Sequence, residues 1–163
     1  MEYHKLTAED IENLRPMIAD PERFITEVTE HWDHDQFKTV RAMPDLVIQP
    51  TTAEEVASVL KYASDHEIAL TPRGNSTGLM GANLTVHGGI SLDMVKMNKV
   101  IDYDPASLTI TVQPGIRLNQ LEEFLADKPF TYMPAPAMHW ATVAGNISTN
   151  AGGLKAIKYG VTR

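Results

Sequence analysis

Residues 71–81 read TPRGNSTGLMG and residues 141–153 read ATVAGNISTNAGG. Each gathers glycines with short hydroxyl and amide side chains, a mixture that neither an ordinary helix nor an ordinary strand favours. Stripping side chains from a segment lets backbone N–H groups approach an anion and form a nest around it. The spacing of Gly74, Gly78 and Gly81 is not GxGxxG, and no GK[ST] follows, so neither standard nucleotide motif applies. The residues after it, LMGANLTVHGG, carry no amphipathic helix, so a helix N-terminus is not the phosphate site. On spacing alone, a phosphate loop of another kind and a long turn with glycines at positive φ both stay open. The second stretch offers many backbone and side-chain donors to an extended polar ligand. Two such stretches in one chain suggest two walls of one site.

A second cluster, His31, Asp33, His34 and Asp35, invites a metal reading. An i, i+3 histidine pair outside a helix does not converge two ligands on one ion, so the segment reads as a solvated connection without a metal. His139 reads as a packing or surface residue rather than a catalytic one.

Composition narrows the function classes. The 163 residues hold 14 Lys plus Arg against 21 Asp plus Glu, a net charge of -7. That balance argues against nucleic acid or an anionic membrane as partner, since both need a basic surface. No cysteine is present, which excludes a disulfide framework, a thiolate metal site and a cysteine nucleophile. The polar N-terminus, MEYHKLTAEDIENL, lacks a signal-peptide core, and no run suits a transmembrane helix. A cytoplasmic protein is expected, and the sequons at Asn75, Asn83 and Asn146 read as coincidental.

The elements that must position the two stretches follow from periodicity. Asp10 to Ile18 is expected to be a helix, and PERFITEV, opening on Pro21, another. Residues 31–45 read as an extended connection. LVIQ (46–49) is a short buried strand. The helix TTAEEVASVLKYASDHE starts on a capping box of Thr52 and Glu55, and IALT (68–71) is a second strand. Strand, helix and strand form a βαβ unit, so the two strands should run parallel. The first glycine-rich stretch thereby begins at the carboxyl end of a strand, where α/β sheets bind ligands. Further on, GISLDM (89–94) and VIDY (100–103) are strand-like. SLTITVQ (107–113) alternates with Leu108, Ile110 and Val112 on one face, a hairpin partner for VIDY across the turn DPAS. IRLNQLEEFLADK places Leu118, Leu121 and Leu125 at helical spacing before the proline-punctuated FTYMPAPAMHW.

This order of features resembles the FAD-binding domain of the vanillyl-alcohol oxidase and p-cresol methylhydroxylase (PCMH) flavoproteins. Within them it is most similar to the FAD-linked oxidases that include glycolate oxidase subunits and D-lactate dehydrogenases. PDLVIQPTTAEEVASVLKYA looks like the family's opening strand and helix. TPRGNSTGLMGA is similar to its pyrophosphate loop, and MPAPAMHWATVAGNISTNAGGLKAIKYG to its second FAD segment; the likeness spans Asp33 to Arg163. The resemblance implies an α+β fold, a PCMH-type FAD-binding domain with a small parallel βαβ lobe packed on an antiparallel β lobe, incomplete at the C-terminus. The expected divisions are a helical region and connection over 1–44, the βαβ lobe over 45–98 and the antiparallel lobe over 99–163.

Carried over by position, the resemblance implies that Arg73, Gly74, Asn75, Ser76, Thr77 and Gly78 wrap the FAD pyrophosphate. Thr142, Gly145, Asn146, Ser148, Asn150, Gly152 and Gly153 would line the dinucleotide's other side, with Tyr159 and Gly160 close behind. Arg73 keeps a second reading as a structural salt-bridge partner. Some relatives tether flavin through a histidine or cysteine in the first loop; this loop has neither, so FAD should be held non-covalently.

Three departures stand out. The segment before the second motif carries Ala135-Pro136 where the family often has Asp-Pro, and the double glycine appears as Ala144-Gly145. Family members are also much longer, and KAIKYGVTR stops within a motif. The chain therefore reads as the FAD-binding portion of an enzyme that oxidises a 2-hydroxy acid to the 2-keto acid and passes electrons to an acceptor. Alone it is expected to be inactive, with an unpaired sheet edge that can join copies into oligomers. A non-catalytic dinucleotide-binding module and an enzyme like UDP-N-acetylenolpyruvoylglucosamine reductase remain as alternatives.

Overall fold

The computed structural model describes residues 3–134 and 136–163. They form two compact units, one ending at Lys96 and one beginning at Met97.

The first unit is built on a four-stranded sheet in the order β1-β2-β4-β3, with β1 Phe24–Ile25, β2 Leu46–Ile48, β3 Leu70–Arg73 and β4 Ile90–Asp93. Strands β2, β4 and β3 are parallel, with Leu46 and Leu70 both opposite Ile90, while β1 runs antiparallel to β2. Every residue of β2 and β4 is buried, as a parallel strand covered on both faces requires. The first two strands of the βαβ unit are parallel as the sequence implies, with β4 inserted between them.

Helix α2 (Ala53–Asp65) starts where expected: the Thr52 side chain accepts from the Glu55 N–H at 3.2 Å. The reciprocal half of the capping box is diverted. The Glu55 carboxylate takes the N–H of Thr51 at 2.7 Å, not that of Thr52, and also binds Arg23. Val59 and Ala63 of α2 pack with Leu14, Ile18, Phe24, Ile48, Ile68 and Ile90 in one apolar core.

Two N-terminal expectations are corrected. Helix α1 covers Ala8–Leu14 and gives way to a 3-10 turn over Arg15–Met17, because Pro16 lacks the N–H that would continue it. The segment opened by Pro21 makes a single 3-10 turn, Pro21–Arg23, and then extends into β1. Burying Phe24 opposite Ile48, and bonding Arg23 to Gln49 O at 2.9 Å, outweighs the local helical preference.

The second unit carries a β-hairpin of β5 (Val100–Asp104) and β6 (Thr109–Val112) with a bulge between Val100 and Asp102. The Asp104 carboxylate accepts from Ala106 N and Ser107 Oγ in the turn. Leu108 does not join the strand face as expected. It sits at φ 59° and is 68% exposed, since the turn needs a left-handed residue to re-enter the ladder. Helix α3 (Leu118–Leu125) buries Leu118, Leu121 and Leu125 against Ile116, Ala141 and Val143. The glycine-rich 141–153 stretch contains a short helix after all: α4, Val143–Ser148, is followed by α5, Ala156–Tyr159. No helix among the described residues is long and apolar enough to cross a membrane.

Candidate functional site

The first glycine-rich stretch leaves β3 at the carboxyl edge of the parallel strands and runs without helix or strand to β4. Its left-handed positions are Ser76 at φ 54° and Gly81 at φ 72°; Gly74 and Gly78 do not have positive φ. A Cβ added at Gly78 meets no atom within 4 Å. Neither the backbone nor the packing of this unit therefore requires glycine at 78. The main chain at 78 is left open, with space beside it for another group to approach. Asn83 Nδ2 donates to Ser76 Oγ at 3.2 Å and closes the loop on itself.

Arg73 is buried at the root of this loop. It is 3% exposed, and its guanidinium donates to the backbone carbonyls of His31 at 2.8 Å, Trp32 at 3.3 Å and His34 at 3.3 Å. Burial lowers its pKa, opposed by the charges of Asp93, Asp33 and Asp35. The acidic run that suggested a metal is used in the same framework. Asp33 accepts from His34 Nδ1 at 2.7 Å and from Arg41 Nη1 at 2.9 Å. Burial works to raise the Asp33 pKa, and these two partners outweigh it and lower it. Asp35 accepts the N–H groups of Phe37, Lys38 and Gly81. Sequence reading missed this contribution of residues 31–42 to the loop, because nothing in their local pattern shows a partner some 40 residues away.

The second stretch is tied to residues 114–119 by backbone bonds. Val143 N donates to Ile116 O, Ala144 N to Pro114 O, and Leu118 N to Ala141 O. Thr142 is buried and caps α4 by accepting the Gly145 N–H at 3.3 Å. A Cβ at Gly145 would lie 2.8 Å from that same hydroxyl, so glycine keeps the cap intact. Asn146 is 3% exposed, and its Nδ2 has no hydrogen-bond partner among the described residues. A buried amide left unpaired costs about 1–3 kcal/mol, so it marks a donor suited to a polar ligand. Ser148 instead turns its hydroxyl back to Ala144 O. Asn150 adopts φ 47°, and its exposed side chain follows the end of α4. Gly152 packs against Val161, where a Cβ would fall 2.9 Å from Cγ1, and Gly153 O accepts the Ala156 N–H at 2.9 Å. Tyr159 is exposed under Lys158, and Gly160, at φ 79° with no atom near a built Cβ, ends α5.

His139 is exposed and meets Glu122 at 3.2 Å on the surface. Ala135 lies outside the described residues. Each stretch separately has a feature that a polar ligand can use: open space beside the main chain at Gly78 in one, and a buried amide unpaired among the described residues in the other.

The chain matches the FAD binding domain family over residues 44–163. It is 37% identical over 165 residues to a D-lactate dehydrogenase of Anaerostipes hadrus, covering 99% of this chain and 34% of that protein. It is 37% identical over 133 residues to the glycolate oxidase subunit GlcD of Bacillus subtilis, covering 81% of this chain and 28% of that protein. A mitochondrial D-2-hydroxyglutarate dehydrogenase of Danio rerio is 34% identical over 165 residues, with 99% and 30% covered. The chain thus spans about a third of the length of these curated relatives. Among solved structures, an alkyldihydroxyacetonephosphate synthase superposes with a TM-score of 0.84 at 23% identity, over 99% of this chain and 34% of that one, which shows the shared fold. With its match running from residue 44 to residue 163, the chain belongs to the FAD binding domain family.

Proposed function

We propose that this chain is the flavin-holding part of an enzyme that oxidises a 2-hydroxy acid of the glycolate or D-lactate type to the 2-keto acid. Bound FAD supplies the two-electron acceptor for such a reaction. The chain's own residues bind and orient it. In this reading the main-chain N–H groups of residues 74–78 cradle the pyrophosphate, which suits an acidic protein because amides bring no charge to bury. Asn146 Nδ2 donates to the dinucleotide, Gly145, Gly152 and Gly153 admit it close to the backbone, and Tyr159 and Gly160 flank it. Arg73, spent on three carbonyls, holds the loop's root instead of touching phosphate. With no cysteine in the chain and no histidine in residues 74–78, the flavin is held non-covalently.

The observation that carries the reading is Gly78, a glycine that the unit's own backbone and packing do not need. The hydroxy-acid class is supported by the three dehydrogenase and oxidase relatives. No catalytic residue is assigned to residues 1–163, and the chain alone is expected to turn over no hydroxy acid. The reading also includes a separate electron acceptor and pairing with strands of a second copy along the β5–β6 hairpin, which forms a two-stranded sheet among the described residues. The test is flavin retention through gel filtration, then reduction of a dye acceptor with glycolate, D-lactate or D-2-hydroxyglutarate by the chain and by a longer polypeptide containing it. Flavin-dependent turnover of one of these acids by the longer protein alone supports the proposal. Retention of flavin without reduction by any 2-hydroxy acid overturns the substrate class.

A further inference from the structure

We infer that residues 31–42 form a strap that presets the 74–81 loop for the FAD pyrophosphate, with Asp35 as its positioning residue. The inference rests on assigning that loop to FAD. The strap lies N-terminal to the family-matched residues, yet it holds the loop and its two flanks, residues 73–85, at four points. At the root, Arg73 donates to the carbonyls of His31, Trp32 and His34. At the tip, Gln36 N donates to Gly78 O at 3.2 Å, beside the glycine with open space around it. Just beyond, Gly81 N donates to Asp35 Oδ2 at 2.9 Å. On the return path, Thr85 Oγ1 donates to Ala42 O at 3.2 Å.

Asp35 joins the two chains with one side chain. Its Oδ1 takes the N–H groups of Phe37 at 2.9 Å and Lys38 at 3.1 Å, shaping the strap's own turn, while Oδ2 fixes Gly81 in its left-handed conformation. It is 4% exposed, so water does not stand in for these bonds. A glycine-rich loop has much backbone freedom to lose on binding, and a strap that removes that freedom beforehand lowers the cost of ordering it. The strap achieves this with an anion near a site for a dianion. Geometry and charge at position 35 therefore push flavin affinity in opposite directions, and the direction in which affinity moves on a single isosteric substitution shows which one governs the loop.

In the flavin-loaded protein, Asp35→Asn removes the negative charge and sets an amide N–H against that of either Gly81 or the strap turn. If Asp35 acts by positioning, FAD Kd rises by about tenfold, the loss of one charge-assisted hydrogen bond. Hydrogen exchange then quickens across residues 76–85 and not in strands β2 and β4, a local signature that general destabilisation does not give. An unchanged or tighter Kd overturns the strap. Gly78→Val serves as the control on the loop itself. If that variant binds FAD like the unaltered protein, the loop's assignment falls and the strap's role falls with it. Loss of FAD by Gly78→Val beside an unchanged Kd in Asp35→Asn rejects the strap alone. Should Asp35→Asn not fold, Thr85→Val, which removes one strap hydroxyl, is read in its place. A severalfold rise in Kd supports the strap, and an unaltered Kd overturns it.

Discussion

Arg23 grips Glu55 with both terminal nitrogens, each 2.8 Å from a carboxylate oxygen, and so joins the turn before β1 to the first turn of α2. Both side chains are about nine-tenths buried, and the remaining capacity of the pair is used by Gln49 O, Thr51 N and Ala19 N.

This pair sets an acid limit on the first unit. The bond from Arg23, aided by the amides and opposed by burial, lowers the Glu55 pKa from 4.5 to about 2. A carboxylate with a depressed folded pKa contributes its full stability above pH 4.5 and loses it as pH falls toward 2. Two to three pKa units correspond to about 3 kcal/mol. Glu55→Gln is expected to lower stability at pH 7 by about 3–5 kcal/mol, as breaking a buried pair does. It should also flatten the dependence of stability on pH between 4.5 and 2. Urea unfolding at pH 7 and pH 3 measures both, and an undiminished pH dependence in the variant would count against the assignment.

Gly78 and Gly89 should separate ligand demands from fold demands. Gly89 has φ 76°, and a Cβ there would collide with the Ala69 carbonyl oxygen. Gly89→Ala is expected to destabilise by roughly 2–5 kcal/mol with or without flavin. Gly78→Val is expected to leave the thermal midpoint of the flavin-free protein nearly unchanged and to abolish flavin absorbance in the purified protein. Calorimetry with an absorbance spectrum decides the matter; a Gly78→Val protein that is still yellow would refute it.

Asn146 should show opposite effects with and without flavin. Its Nδ2 is buried and unpaired among the described residues, so trimming it to alanine relieves a desolvation penalty of about 1–3 kcal/mol. Asn146→Ala is then expected to match or exceed the unaltered protein in stability without FAD and to gain less from added FAD. The difference in melting temperature between loaded and flavin-free forms is the readout. Equal gains in both proteins would remove Asn146 from the site.

What the sequence revealed depended on how local each signal was. Helices α2 and α3 are visible because one apolar stripe recurs at helical spacing and Thr52 marks a start. Strand β1 is not visible: two residues carry no period, and the proline before them resembles a helix opening. Helix α4 escaped because six residues with a glycine and short polar side chains read as a loop until Thr142 is seen capping them. The glycine-rich stretches announced themselves by composition. The direction of the Arg73 side chain did not, since its partners lie 39 to 42 residues earlier and are backbone carbonyls, which every residue has.

The central place of β4 has a consequence in time. Strands β2 and β3 touch only through it, so the parallel part of the sheet stays open until the chain as far as Asp93 is available. Emerging from the ribosome, α2 can wind early, but the flanking strands must wait through the whole glycine-rich loop for the strand that zips them together. Non-local pairing of this kind is slow to form. Closing the zipper also anchors both ends of the loop in the same step, so the cradle becomes competent for a nucleotide only when the sheet does.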